Sequence, residues 1–157
     1  MRLFIALCPP TEVLDVLDGL ARPETAGVRW TTRDQWHVTL RFLGDVELAE
    51  GQAALQSLAG SAAREVSIGH DTQRLGRAIL MASVTGADDL GAALSPDREF
   101  LGHLTLARSR RKHIPDELLG QPVSASWTAT SVSLVRSTLR PEGAVYDEVA
   151  SVALEGT

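Results

Sequence analysis

The chain has 157 residues, 44% hydrophobic and 22% charged, with a formal net charge of −5. This is the balance of a globular protein long enough to bury a core without covalent staples, and one domain over residues 1–157 is expected. The acidic charge excludes a surface that grips long nucleic acid by phosphate neutralisation, no apolar run approaches the roughly 20 residues of a membrane span, and the lone Cys8 allows no internal disulfide and suits a reducing cytoplasm.

Residues 2–8 run apolar from Leu3 onward and predict a buried strand. Thr11 then offers N-cap chemistry, and Val13, Leu14, Leu17 and Leu20 recur at helical spacing, which predicts a helix over 11–21 ending near Arg22-Pro23. Residues 30–43 are strand-like. Within them Trp36, Val38, Leu40 and Phe42 alternate onto one face, and His37, Thr39 and Arg41 onto the other. On that alternation Phe42 belongs to the core. Gly44-Asp45 stops the strand, and a second helix is expected over 47–59. Strands follow near 64–69, 72–76 and 78–85, then a short helix over 88–94 closed by Ser95-Pro96-Asp97. A strand over 100–107, one helical turn over 114–119, and strands over 123–128, 131–139 and 145–154 complete the chain. The order predicts an α+β fold of two lobes related by a pseudo-twofold, with antiparallel sheets facing a central cleft and helices outside.

Two strands carry the same tetrapeptide, His37-Val38-Thr39-Leu40 and His103-Leu104-Thr105-Leu106, in a chain with only four histidines. Side chains i and i+2 of a strand share a face about 7 Å apart, so each copy sets an imidazole beside a hydroxyl, with the leucine behind. An imidazole titrates near working pH and can give or take a proton. Two such strands facing each other supply an acid, a base and two hydroxyls around a single phosphorus atom. The pair falls short of the three or four ligands of a zinc site, there is no nucleophile elbow, and no metal or other cofactor is expected. His70 and His113 stand isolated and read as surface residues. Arg108, Arg110, Arg111 and Lys112 follow directly on the second motif and put positive charge beside the candidate phosphate site.

The chain resembles the two-histidine (2H) phosphoesterase superfamily, within it the RNA 2′,3′-cyclic phosphodiesterases, also called 2′-5′ RNA ligases. The resemblance rests on Arg2 to Ala6 with Pro9-Pro10, Trp36 to Gly44, Phe100 with His103 to Arg108, and Val132 to Ser137 with Tyr146, and so runs from the first strand to the last. It implies metal-independent opening of a 2′,3′-cyclic phosphate to a 2′-phosphomonoester. His37 would be the proton donor and His103 the proton acceptor, with Thr39, Thr105 and Arg108 holding the phosphate. On a regular strand Arg108 faces away from His103, so the strand has to end or bulge before it. The family's proline before the second histidine is replaced by Gly102, which is expected to loosen the start of that strand, and the helix before Arg98 is short.

The expected substrates are RNA ends or small nucleotides bearing a 2′,3′-cyclic phosphate, handled by a monomer without an obligate protein partner or a membrane. Two alternatives stand beside hydrolysis: reversible 2′-5′ RNA ligation by the same groups, and a non-catalytic module that binds nucleotides or RNA ends.

Overall fold

The computed structural model describes residues 1–156. Two antiparallel sheets carry the fold. One has the order β3-β1-β8-β9, formed by Val38–Asp45, Arg2–Leu7, Ser131–Arg140 and Gly143–Ala153. The other has the order β2-β6-β5-β4-β7, formed by Val28–Trp30, His103–Ser109, Ile79–Thr85, Arg64–Leu75 and Pro122–Ala129. Three helices complete the α+β architecture: α1 (Thr11–Asp18), α2 (Leu48–Gln56) and α3 (Asp88–Leu94).

Each sheet mixes residues from both ends of the chain. The C-terminal hairpin β8–β9 returns to pair with β1, while the early strand β2 crosses to pair with β6. The leucines and valines of both inner faces meet in one apolar cluster, in which Leu3, Leu17, Leu80, Leu104 and Leu134 are wholly buried. Helix α2 lies close on its sheet because it carries Gly51 there: a Cβ at that position would stand 2.7 Å from Leu3 Cδ1.

Several expectations are revised. The continuous strand over 30–43 is instead two strands in different sheets, β2 and β3, joined by a 3₁₀ turn at Arg33–Gln35. A capping box makes that turn, with the Thr32 N–H donating to Gln35 Oε1 at 3.0 Å. The strands expected near 64–69 and 72–76 are one strand, β4, whose pairing with β5 slips between Ile68 and Thr72 while its pairing with β7 runs unbroken. The segment bulges where a break between two strands was expected. Thr11 is the first residue of α1 rather than its cap, a place taken by Pro10. Strand β6 begins at His103 instead of residue 100, because the Phe100 ring packs on Gly91 of α3, where a Cβ would lie 2.3 Å from the ring.

Candidate active site

His37 immediately precedes β3 and His103 opens β6. Both line a single cavity of about 380 Å³ between the two sheets, together with Thr39, Thr105 and Arg108. The five residues singled out in the sequence are therefore brought together.

The two imidazoles are held the same way. His37 Nδ1 lies 2.7 Å from the carbonyl oxygen of Gln35, and His103 Nδ1 lies 2.9 Å from that of Leu101. A carbonyl only accepts, so Nδ1 is the protonated nitrogen on each ring and Nε2 is left to give or take a proton. Each ring is thus oriented by the backbone two residues before it. His37 Nε2 lies 2.8 Å from Thr39 Oγ1, which realises the His-x-Thr pairing directly. The His37 ring is walled by Phe4, centroids 4.7 Å apart, and by the edge-on ring of Tyr146 at 5.2 Å.

Burial pushes the His37 pKa below the ordinary histidine value, and the positive charges of Arg108 and His103 lower it further against the favourable bond to Gln35. The free protein consequently holds His37 neutral. Unfolding restores its ordinary affinity for protons, so its contribution to stability is complete above about pH 6.5 and is lost as pH falls toward the depressed value. In a proton NMR titration we expect the His37 ring to titrate below the ordinary value, and Arg108→Gln to move that transition upward. A titration at or above the ordinary value in the wild type would contradict this electrostatic account.

Two bulges shape the cavity wall. In the β1–β3 register Ala6 pairs with Thr39 and Ile5 with Arg41, which leaves Leu40 unpaired. In the β5–β6 register Met81 pairs with Thr105 and Leu80 with Ala107, which leaves Leu106 unpaired. Each bulge falls on the fourth residue of a motif, and each leucine is buried in the core. The extra residue reverses the alternation beyond it, so the side chain five positions after each histidine turns back into the cleft. On β6 that side chain is Arg108, which lines the cavity as the family resemblance implies. On β3 it is Phe42, which is 52% exposed and lines the cavity. The assignment of Phe42 to the core is therefore corrected. Arg41, expected beside His37, reaches away to the Leu94 carbonyl of α3 at 2.9 Å.

The β6 bulge is clamped from outside the motif. Thr31 Oγ1 lies 2.9 Å from the carbonyl oxygens of both Thr105 and Leu106, and the Thr31 N–H donates to the latter at 2.8 Å. Gln35 fixes a second junction: its carbonyl orients His37, and its side-chain amide donates to the Ala144 carbonyl of β9 at 2.8 Å. Sequence reasoning missed Thr31, Gln35 and the aromatic wall of Phe4. The Thr32-x-x-Gln35 capping signature was the available signal for Gln35.

Gly102 does not loosen β6. A Cβ there would lie 2.4 Å from the Val84 carbonyl oxygen, while the Val84 N–H donates to the Gly102 carbonyl at 3.0 Å. Glycine lets β5 press close just before His103. We expect Gly102→Ala to cost about 1–3 kcal/mol of stability, the range for forced overpacking, read from urea unfolding. A variant as stable as the wild type would refute that close approach.

Among the described residues no group of three His, Cys, Asp or Glu side chains is placed to hold a metal ion, and no helix is long and apolar enough to cross a membrane.

The family profile described as LigT like Phosphoesterase matches residues 7–70, which contain the first motif. Among solved structures, the TT0787 protein of Thermus thermophilus is 25% identical, with a TM-score of 0.82 over 99% of both chains. Escherichia coli LigT complexed with NADP+ is 25% identical, with a TM-score of 0.77 over 98% of this chain and 96% of that one. The same protein complexed with phosphate is also 25% identical, at 0.74 over 98% and 96%. No curated protein matches the sequence. The fold and the paired-histidine cleft are of the kind that these phosphoesterase structures share. The chain thus resembles the LigT-like phosphoesterases, matching their profile over residues 7–70 and sharing the fold of E. coli LigT along nearly its whole length.

Proposed function

We propose that the protein hydrolyses 2′,3′-cyclic phosphates, on RNA ends or small nucleotides, to 2′-phosphomonoesters without a metal. One observation carries this reading: both imidazoles line the shared cavity, each locked through Nδ1 to its own backbone, and among the described residues Nε2 is engaged by nothing but, on His37, the motif hydroxyl of Thr39. An in-line displacement at phosphorus needs a base on one side and an acid on the other. His103 Nε2 takes the proton of the attacking water as its oxygen bonds to phosphorus. The phosphorus–O3′ bond breaks, and His37 Nε2–H protonates the departing O3′. Thr39 and Thr105 donate to the non-bridging oxygens, and Arg108 meets the charge that grows on them.

His37 is neutral in the free protein, yet this mechanism loads it with a proton. The substrate resolves the difference. An anionic phosphate beside Arg108 offsets the positive charges that depress His37, so binding itself favours the imidazolium. E. coli LigT, similar along nearly the whole chain, forms a complex with NADP+, which supports a nucleotide as the ligand here. All the groups invoked belong to one chain, so a monomer suffices.

A second reading, 2′-5′ ligation, is favoured by one feature. A groove of about 480 Å³ adjoins the cavity and is lined by Thr39, Phe42, Leu101 and His103, but not by His37. It opens on the side of the proposed base, where an attacking water needs little room and a nucleoside hydroxyl would need such space.

The test is incubation with a 2′,3′-cyclic nucleotide, with and without EDTA, followed by phosphorus NMR. We expect a 2′-monophosphate and no effect of the chelator. A 3′-monophosphate would reverse which oxygen leaves, and no turnover would remove the hydrolase reading. A 2′-5′ dinucleotide formed when a nucleoside is added would establish the second.

A further inference from the structure

The cleft presents three guanidinium groups, Arg2, Arg29 and Arg108, in a chain of net charge −5. Arg29 is committed, because it donates to the Glu142 carbonyl on the β8–β9 turn. Arg108 stands near the histidines, where its charge depresses His37. Arg2 is less committed: among the described residues it makes no side-chain hydrogen bond and no ion pair, and its cross-strand neighbour Asp45, which its charge only weakly favours, is held by the Met1 ammonium at 2.8 Å. What holds Arg2 is an aromatic face, with its guanidinium carbon 5.0 Å from the centre of the Phe42 ring.

The positions follow from the strand register. Arg2, Phe4 and Ala6 alternate onto the cleft face of β1, where Ala6 pairs with Thr39 and Phe4 with Phe42. Arg2 and Phe42 both line the cleft, and stacking on the Phe42 ring holds the Arg2 guanidinium there. The cleft therefore offers a second cation besides Arg108. Its donors are planar and forked, suited to a phosphate, and the ring beneath limits the orientations it must give up on binding.

We propose that Arg2, braced by Phe42, binds a second phosphate of the substrate, the one on the 5′ side of the nucleotide whose cyclic phosphate reacts at His37 and His103. This rests on the phosphodiesterase reading above and narrows its substrate class to 5′-phosphorylated nucleotides and chain-linked ends over the bare cyclic nucleoside. The +5 position of the first motif thereby acquires a role. The bulge that puts Arg108 into the cleft on one strand puts Phe42 into it on the other, and Phe42 positions a guanidinium where β3 turns its own, Arg41, away.

The experiment compares adenosine 2′,3′-cyclic phosphate with its 5′-phosphorylated form, in the wild type, Arg2→Gln and Arg2→Lys. A charge-assisted bond predicts that the 5′-phosphate raises kcat/KM about 10- to 100-fold in the wild type. That ratio should collapse toward one in Arg2→Gln and return in part in Arg2→Lys. A role in packing alone would lower both substrates together and leave the ratio unchanged, which overturns the proposal. A wild-type ratio of one, or a preference that survives Arg2→Gln, overturns it equally. Calorimetric binding of adenosine 2′-monophosphate and adenosine 2′,5′-bisphosphate gives the same comparison without turnover. An enzyme that hydrolyses neither cyclic substrate, yet binds the bisphosphate more tightly only while Arg2 is present, would sink the phosphodiesterase reading and keep the second anion site. Equal binding of the two ligands would sink the site.

Discussion

Replacing either His37 or His103 by alanine is expected to lower kcat on a 2′,3′-cyclic nucleotide by about 10²–10⁴, or about 3–5 kcal/mol of transition-state stabilisation. In the proposed mechanism each ring supplies one of the two proton transfers, and each is fixed through Nδ1 so that Nε2 is the nitrogen left to act. The double replacement should cost much less than the product of the two singles, because an acid without its base no longer completes the displacement. The comparison is steady-state kinetics of the three variants, with folding checked by circular dichroism. A single variant that keeps full activity would refute the assignment of that ring to the chemistry. Two variants whose losses multiply fully would show that the rings do not act on the same step.

Arg108→Ala carries the second large effect, a loss of about 10²–10³ in kcat/KM, the range found when one donor to a developing oxyanion is removed. The side chain is exposed and lies in the cleft, so unfolding stability should stay within about 0.5 kcal/mol of the wild type. Lysine should restore only part of the activity, because a point charge does not reproduce the guanidinium fork. Removing this charge should also raise the His37 pKa, since Arg108 is one of the causes of its depression. Kinetic loss and the NMR shift thus report on one residue by two routes. An Arg108→Ala enzyme with unchanged kcat/KM would mean that the β6 bulge does not deliver this side chain to the phosphate.

Most of the site could be read directly from the primary structure. Two His-x-Thr-Leu copies in a chain with four histidines named both rings and both hydroxyls, and strand periodicity placed each imidazole beside its threonine. The strict alternation that served so well through Thr39 then failed at Arg41 and Phe42. Periodicity of two holds only while every residue has a partner across the ladder, and Leu40 has none. The same failure on β6 was foreseen at Arg108, because the family resemblance assigns Arg108 to the phosphate and so implies a bulge or a strand end before it. On β3 nothing in the residues demanded a bulge, so Phe42 was assigned to the wrong face.

The run over 30–43 shows a second limit. Its composition is uniformly strand-like, but β2 and β3 belong to different sheets, and the break lies in a capping box that competes with extension. Hydrophobic pattern reports how much surface a segment wants to bury and says little about which partner buries it.

By itself, then, the amino-acid order determined the fold class and which two imidazoles and two hydroxyls meet in the cleft, because these follow from local spacing along single strands. The tertiary structure alone decided that Arg108 and Phe42 enter the cleft, that Thr31 and Gln35 hold the motifs in place, and that His37 rests neutral. Those outcomes depend on the register against neighbouring strands and on the burial and charge contributed by residues distant in the chain, which no window of sequence contains.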